Sequence, residues 1–260
     1  MNLKDLAQTV LPLARQAGAA IMEIYERSEG IVFSKKDDDS PLTQADKAAN
    51  DIICAGLEKL PVRYPIVSEE NKAIDYAVRK DFTHSWLVDP LDGTKEFIKR
   101  NGDFTVNIAL VHNEKVVLGV VCLPVTGEMY WAARGEGAWY IHEGETVQLH
   151  APAFKLTDKD LGLVCSRSHL NAETQQFLEK FDAPRTVSRG SSLKFLLLAR
   201  GAAHVYPRLA PTMEWDTGAA QIILEEAGGR VINNETDAPL TYNKENLLNP
   251  YFVAYGNTEI

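Results

Sequence analysis

Between Leu3 and Tyr25 the apolar residues Leu6, Val10, Leu13, Ala17, Ile21 and Ile24 recur at steps of three and four. That spacing predicts one amphipathic helix with a single core face. Gly30 is expected to close the region. The polar stretch Lys35 to Pro41 reads as a loop or hairpin tip, and its aspartates Asp37 to Asp39 as a solvated charge run. Thr43 then predicts an N-cap for a second helix through Ala48, Ile52, Ile53 and Leu57, with Asp46 in its first turn. Pro61 and Pro65 mark the exit.

The pattern changes beyond Pro65. Trp86 to Val88, Phe104 to Val111, Lys115 to Leu123, Glu128 to Ala133 and Ala138 to Ile141 are short β-rich runs bounded by turn residues. Asn113-Glu114 predicts a tight hairpin, and Pro124 to Gly127 another turn. Ala151 to Asp160, polar and holding Pro152, suggests a junction between portions 1–150 and 151–260. After it, strands near Leu161–Cys165 and Ala203–Tyr206 alternate with helices near Glu173–Lys180, Leu193–Ala199 and Gly218–Ala227, the mark of an α/β arrangement.

Composition changes the picture in three ways. With 260 residues, 45% hydrophobic and 24% charged, the chain can bury one large core or two smaller ones. No apolar run approaches the ~20 residues that span a bilayer. The start, Met1 to Leu6, lacks the basic-then-apolar layout of a signal peptide, so a cytoplasmic protein is expected. The net charge of −9 argues against binding long nucleic acid through its phosphates and leaves small anions open, provided that cations meet them locally. The three cysteines, Cys54, Cys122 and Cys165, sit among apolar neighbours without a C-x-x-C pair and read as buried, reduced thiols.

The candidate chemistry lies in the carboxylates. Asp89-Pro90-Leu91-Asp92-Gly93-Thr94 follows an apolar strand run, and a proline turn brings both aspartates to one strand end. Gly93 permits an unusual backbone angle there, and Thr94 to Ile98 can begin a helix whose free N–H groups suit a phosphate. Acids beside a phosphate site repel the ligand unless divalent cations lie between them. Glu69, after Ile66-Val67, and Asp216, an N-cap candidate beside Trp215, add to the set. Taken singly, each acid is an ordinary cap or surface group. Together, as hard oxygen ligands without histidine or cysteine, they point to magnesium or manganese and to phosphoryl transfer.

The segments Asp89 to Thr94 and Trp215-Asp216-Thr217-Gly218-Ala219 resemble the paired signature of the inositol monophosphatase superfamily, lithium-sensitive magnesium phosphatases, and the likeness runs from Asp46 to Leu248-Asn249-Pro250. Gly102-Asp103-Phe104-Thr105-Val106, Gly190-Ser191-Ser192-Leu193-Lys194-Phe195 and Val205-Tyr206-Pro207-Arg208 look like its 3'(2'),5'-bisphosphate nucleotidases of the bacterial CysQ type. The resemblance implies an α/β fold, a layered αβαβα sandwich whose site lies where the two portions meet. It implies two to three magnesium ions held by Glu69, Asp89, the Leu91 carbonyl, Asp92 and Asp216. It makes Asp46 and Thr94 the catalytic pair that orients or deprotonates water. Gly93 and Thr94 would bind the scissile phosphate, and Glu69, Leu91, Asp92 and Asp216 would also face substrate. Ser166, His169, Gly190 and Lys194 would contact the nucleoside and its second phosphate, with Arg208 and Lys95 as alternative cations.

The implied reaction is hydrolysis of adenosine 3',5'-bisphosphate to AMP and phosphate, and of its sulfated analogue, in sulfur assimilation. Peripheral attachment to the cytoplasmic face of the inner membrane is a further implication, although no basic amphipathic segment demands it. The alternatives are an inositol phosphatase of the same superfamily and a non-catalytic nucleotide- or metal-binding regulator on the same scaffold. Asp92→Asn is expected to cause a large loss of turnover that added magnesium rescues only in part. Phosphate release measured across magnesium concentrations checks this, and unchanged activity would remove Asp92 from the site.

Overall fold

The structure is a computed structural model that describes residues 2–27, 33–35, 41–166 and 171–259. Gly30 and Asp37 to Asp39 lie outside the described residues. Helix α1 (Leu3–Tyr25) starts at Asn2, whose side chain accepts the Asp5 N–H at 2.7 Å. Strands β1 (Phe33–Lys35) and β2 (Pro41–Thr43) pair antiparallel and lead into α2 (Gln44–Leu57). Thr43 caps α2, and Asp46 answers from its N3 position in a capping box. On α1, Leu6, Val10, Ala17 and Ile21 are buried as the periodicity predicts, whereas Leu13 and Ile24 are only partly covered. Leu13 turns sideways against Gly56 of α2, which has no Cβ to obstruct it.

The β-rich middle forms one seven-stranded sheet in chain order: β3 (Ile66–Ser68), β4 (His84–Asp92), β5 (Thr105–His112), β6 (Lys115–Leu123), β7 (Glu128–Ala133), β8 (Ala138–His142) and β9 (Glu145–Leu149). Two short helices, α3 (Tyr76–Arg79) and α4 (Thr94–Ile98), flank β4 in the chain. Only β3 and β4 run parallel; the others are antiparallel neighbours. Asn113 and Glu114 both take left-handed angles, φ 46° and 64°, which suits a two-residue hairpin between β5 and β6.

A second sheet holds β10 (Gly162–Ser166), β11 (Arg185–Arg189), β12 (Val205–Arg208), β13 (Arg230–Asn233) and β14 (Phe252–Tyr255) in the order β11-β10-β12-β14-β13. Its helices are α5 (Ala172–Leu178), α6 (Leu193–Ala199) and α7 (Glu214–Glu226).

Burial explains why so many strands read as unbroken apolar runs: both faces of the large sheet are covered. Trp86, Val88, Ile108, Leu118 and Val120 pack with α1 and α2, while Leu87, Ala109, Val121 and Tyr130 face α6 and α7. Those two helices pack on their far side against Tyr206, Phe252 and Ala254 of the second sheet. The outer face of that sheet, with Leu163, Val205 and Val253, meets Phe177 of α5. The layers therefore run α, β, α, β, α, as the resemblance implies. No helix among the described residues is long and apolar enough to cross a membrane.

Several elements escape the pattern. Strand β11 is polar and mostly exposed at a sheet edge, and β9 is an exposed edge of the first sheet. Strand β14 is short and fully buried, so it has no alternation to show. Cys122 and Cys165 are buried as expected; Cys54 is only half-buried, and all three are free.

Helix α7 lies hard against β6. A Cβ placed on Gly119 would sit 2.3 Å from the Ala219 carbonyl oxygen and 2.5 Å from Ile222. No side-chain rotation relieves a clash with backbone. Gly119→Ala is expected to push α7 off the sheet and lower stability by about 1–3 kcal/mol, the usual range for overpacking. Urea denaturation measures it, and an unchanged midpoint would contradict the close approach.

Candidate metal centre and active site

Strand β4 loses register with β5 between Asp89 and Asp92: Asp89 pairs with Asn107 and Asp92 with Thr105. Three steps along β4 match two along β5, so one residue bulges where Pro90 has no N–H to give the ladder. In a regular strand, residues three apart face opposite ways. The bulge puts Asp89 and Asp92 on the same side, opposite two β5 residues that also share a face. Asp89 Oδ1 accepts the Leu91 N–H at 3.1 Å, closing the turn.

Gly93 follows at φ 100°, ψ 37°, and a Cβ there would meet the Asp103 carbonyl oxygen at 2.9 Å. This residue, and neither aspartate, occupies the N-cap of α4. Glu69 reaches the same place from the neighbouring strand: its N–H donates to the Val88 carbonyl at 3.1 Å, one residue from Asp89.

Asp216 comes from the other half of the chain. The sequence suggests it as an N-cap, but α7 starts earlier, with Met213 at the cap and Asp216 in the first turn. From there its carboxylate accepts the Met213 N–H at 2.9 Å. That end of α7 is fixed by buried Glu214, which pairs with Lys244 and accepts the Asn243 N–H at 2.6 Å, and by Asn249, which donates to Thr217 Oγ1 at 3.0 Å.

Carboxylate oxygens of Glu69, Asp89 and Asp216 lie within 4.8 Å of one another. Oxygens around one octahedral magnesium, each about 2.1 Å from it, lie roughly 3–4 Å apart, so the cluster needs only a small contraction to grip an ion. The donor set is all oxygen. Its electrostatics ask for a cation as well. Burial drives the Asp89 carboxyl well above its ordinary range, and the charges of Glu69, Asp92 and Asp216 push it further. Burial likewise raises Asp216, with Asp92 and Glu69 adding to it. Asp92 is pushed up to about 6 by burial, against the downward pull of Lys194, the Ser192 N–H and Asn107.

Asp46 and Thr94 meet beside this cluster. The Thr94 hydroxyl lies 3.1 Å from Asp46 Oδ1 and 3.3 Å from the Leu91 carbonyl oxygen. One hydroxyl proton serves one acceptor, and the carboxylate is the stronger. The Leu91 carbonyl therefore keeps acceptor capacity, as a ligand role requires. Asp46 Oδ2 is held by both the N–H and the hydroxyl of Thr43, so the capping box of α2 fixes the carboxylate's orientation.

A cavity of about 140 Å³ opens next to the acids, with Asp92, Gly93, Gly190, Lys194, Arg208 and Asp216 in its wall. Lys194 is buried. Its Nζ donates to the Ser191 carbonyl at 2.6 Å and lies over the Tyr206 ring, and burial lowers it to about 8 although Asp92 pulls the other way. Arg208 donates to the Pro211 carbonyl at 2.6 Å, while its buried Nε has no hydrogen-bond partner. Gly190 N–H donates to Asp103 Oδ2 at 3.0 Å. Lys95 is exposed on the rim. Ser166 ends β10 with its side chain outside the described residues, and His169 lies wholly outside them.

Sequence reasoning passes over Asn107, Ser192 and Thr105, which are buried beside Asp92. Asn107 did carry a signal, being an amide inside the apolar run Val106 to Val111.

Comparison with known proteins places these features in context. The chain matches the profile of the inositol monophosphatase family over residues 2–254. It is 45% identical over 249 residues to the 3'(2'),5'-bisphosphate nucleotidase CysQ of Salmonella typhimurium, covering 95% of this chain and 98% of the relative. The Escherichia coli K12 protein of the same name is also 45% identical, over 94% of this chain and 96% of its own. The crystal structure of CysQ from Bacteroides thetaiotaomicron superposes with a TM-score of 0.84 at 43% identity, covering 98% of each chain. An inositol monophosphatase from Thermotoga maritima shares the fold, with a TM-score of 0.79 at 23% identity over 96% of this chain and 92% of that one.

The raised carboxyls set a pH dependence. A folded-state pKa above the ordinary 3.8 means that the folded protein holds those protons more tightly than the unfolded chain. For the metal-free protein this contribution is favourable at low pH and is lost as pH rises through about 6. Chelator-treated protein is expected to show a smaller gain in melting temperature from magnesium at pH 5 than at pH 7. An equal gain at both would contradict the clustered, uncompensated acids.

Proposed function

The chain belongs to the inositol monophosphatase family of magnesium-dependent phosphatases, and from that premise we propose that it is a 3'(2'),5'-bisphosphate nucleotidase. The reaction is hydrolysis of the 3'-phosphate of adenosine 3',5'-bisphosphate, giving AMP and phosphate, with the sulfated analogue as a second substrate. What carries the reading, beside the full-length likeness to named nucleotidases, is the cavity. Its wall joins the acidic cluster to two cationic groups, buried Lys194 and partly exposed Arg208. A monoester of a neutral alcohol needs only the acidic, metal-holding side. A bisphosphate brings a second anion, which lysine and arginine suit.

In this reading Glu69, Asp89, Asp92, Asp216 and the Leu91 carbonyl hold two or three magnesium ions between them. When bound, magnesium supplies positive charge to the phosphoryl oxygens and the departing oxygen, and makes water more acidic. The protein's own groups do the rest. Thr94 Oγ1, its proton committed to Asp46, presents lone pairs that accept a proton from water. The proton that Thr94 already holds passes in exchange to Asp46 Oδ1, and Thr43 keeps that carboxyl in place. Gly93, whose left-handed turn begins α4 in the cavity wall, is where the phosphate would meet the backbone. The bond between phosphorus and O3' breaks, O3' takes up a proton from water so that AMP leaves with a 3'-hydroxyl, and the attacking water supplies the new phosphate oxygen.

The two portions divided near residue 150 share the site, Asp46 through Thr94 from one and Gly190 through Asp216 from the other. Ser166 and His169 are proposed as nucleoside contacts on the family resemblance. The peripheral membrane attachment that the resemblance implies has no supporting feature among the described residues.

With magnesium, the purified protein is expected to hydrolyse adenosine 3',5'-bisphosphate in strong preference to inositol 1-phosphate; the reverse preference would overturn the assignment. Lys194→Met should lower kcat/KM for the bisphosphate about 10- to 100-fold, the range for losing one hydrogen bond to a charged group. It should leave hydrolysis of adenosine 3'-monophosphate nearly unchanged. Equal losses on both substrates would remove Lys194 from the second-phosphate subsite.

A further inference from the structure

We propose that Asn107 and Ser192 are positioning residues for Asp92: a closed ring of buried hydrogen bonds occupies one oxygen of that carboxylate and turns the other toward the cation. The proposal rests on the reading of Asp92 as a metal ligand.

The ring runs as follows. Asp92 Oδ2 accepts the Ser192 backbone N–H at 2.6 Å and the Asn107 Nδ2 at 3.3 Å. A carboxylate oxygen has two lone-pair directions in its plane, so both are filled and any further partner meets Oδ1. The amide of Asn107 is itself oriented. Its Oδ1 accepts the Ser192 hydroxyl at 2.8 Å, which leaves Nδ2 to face Asp92. Ser192 Oγ in turn lies 2.8 Å from the Thr105 hydroxyl, which supplies the proton that Ser192 lacks as an acceptor. The Thr105 hydroxyl also lies 3.2 Å from Ser191 Oγ and 3.4 Å from Asn107 Oδ1; its 2.8 Å contact with Ser192 is the shortest of the three and agrees with the order Thr105, Ser192, Asn107, Asp92. Exposure of Thr105, Asn107 and Ser192 is 0%, 1% and 1%, so water does not substitute for any of them.

Two features separate this ring from ordinary core packing. Ser192 is the N-cap of α6, a position where serine usually bonds its own helix. Here it makes no such bond; its hydroxyl turns to β5 instead. The preceding Ser191 stands at φ 46°, a left-handed conformation that a serine adopts at a cost. The chain gives up a cap and accepts strain in one turn, and what that turn delivers is an N–H to Asp92. The same turn offers the Ser191 carbonyl to Lys194. One loop therefore orients a group on the acidic side of the cavity and a group on the cationic side. Thr105 and Ser192 lie in the two segments, residues 102–106 and 190–195, that the family resemblance singles out, and Asn107 follows directly after the first.

The test measures metal binding without turnover. Free Mn²⁺ is titrated into metal-free protein and followed by its electron paramagnetic resonance signal, beside melting temperatures taken without metal. Asn107→Ala is expected to weaken Mn²⁺ binding at least fivefold and to raise half-saturating magnesium for phosphate release by a similar factor, with a smaller change in the nucleotide KM. Ser192→Ala, which keeps the backbone N–H, should move both in the same direction by less. Val121→Ala, a cavity-forming change on the strand beside Asn107, serves as the stability control: its melting temperature falls while Mn²⁺ affinity holds. Asn107→Ala with wild-type Mn²⁺ affinity and magnesium requirement would overturn the proposal, whatever its melting temperature. Should that variant fail to fold, Ser192→Ala decides by the same two readouts. Wild-type protein that binds Mn²⁺ but releases no phosphate from the bisphosphate would sink the nucleotidase reading and leave this proposal to the Mn²⁺ titrations.

Discussion

Mutual repulsion among four acids is the constraint that the rest of this structure answers. Glu69, Asp89, Asp92 and Asp216 come from the ends of two strands and the first turn of a helix, and the charges of the other three raise the proton affinity of Asp89. Asp89 is cut off from water and the other three are only partly exposed, so water relaxes that repulsion incompletely. The fold instead holds them in place, at least one fully buried, by forces that have nothing to do with charge. The large sheet is covered on both faces, and α7 is seated on β6 at a contact that admits no methyl group. Apolar burial thus drives together groups that would otherwise separate. A divalent cation would offset that repulsion, and the all-oxygen donor set is of the kind that magnesium takes.

Around the acids, precision comes from backbone devices more than from salt bridges. A bulge at Pro90 aligns two aspartates, a left-handed Gly93 turns the chain past them, and a capping box aims Asp46 at Thr94. Such devices suit a catalytic site, since each fixes a carboxylate oxygen without placing a competing cation against it. Lys194 and Arg208 line the same cavity, where they offset the raised proton affinity of Asp92 and Asp216 only in part and offer positive charge to an anion.

Much of this was legible in the residues. The periodicity from Leu3 to Tyr25 gave α1 to its ends, and the apolar runs of the middle gave most of the large sheet, because both reflect burial on a regular face. The acids Asp89, Asp92 and Asp216 were recognisable from the turn and helix residues beside them. Other features had no local signature. Polar β11 is a strand only because β10 offers it an edge, and β14 is too short to show alternation. The true start of α7 was hidden because Met213 and Glu214 are held by Leu247, Asn243 and Asn249, far along the chain. Asn107 and Ser192 look like unrelated polar residues until the fold brings them within one hydrogen bond of each other.

The order of strands in the second sheet carries a consequence for biosynthesis. Strand β14, the furthest along the chain, lies in the interior of that sheet, between β12 and β13. Until it leaves the ribosome, those two strands have no common neighbour, and the apolar face that supports α6 and α7 lacks Phe252 and Ala254. A nascent chain can therefore carry every acid of the site and still have no firm platform for the helix that bears Asp216. If those acids hold magnesium as proposed, its capture waits until β14 has been made and has joined the sheet.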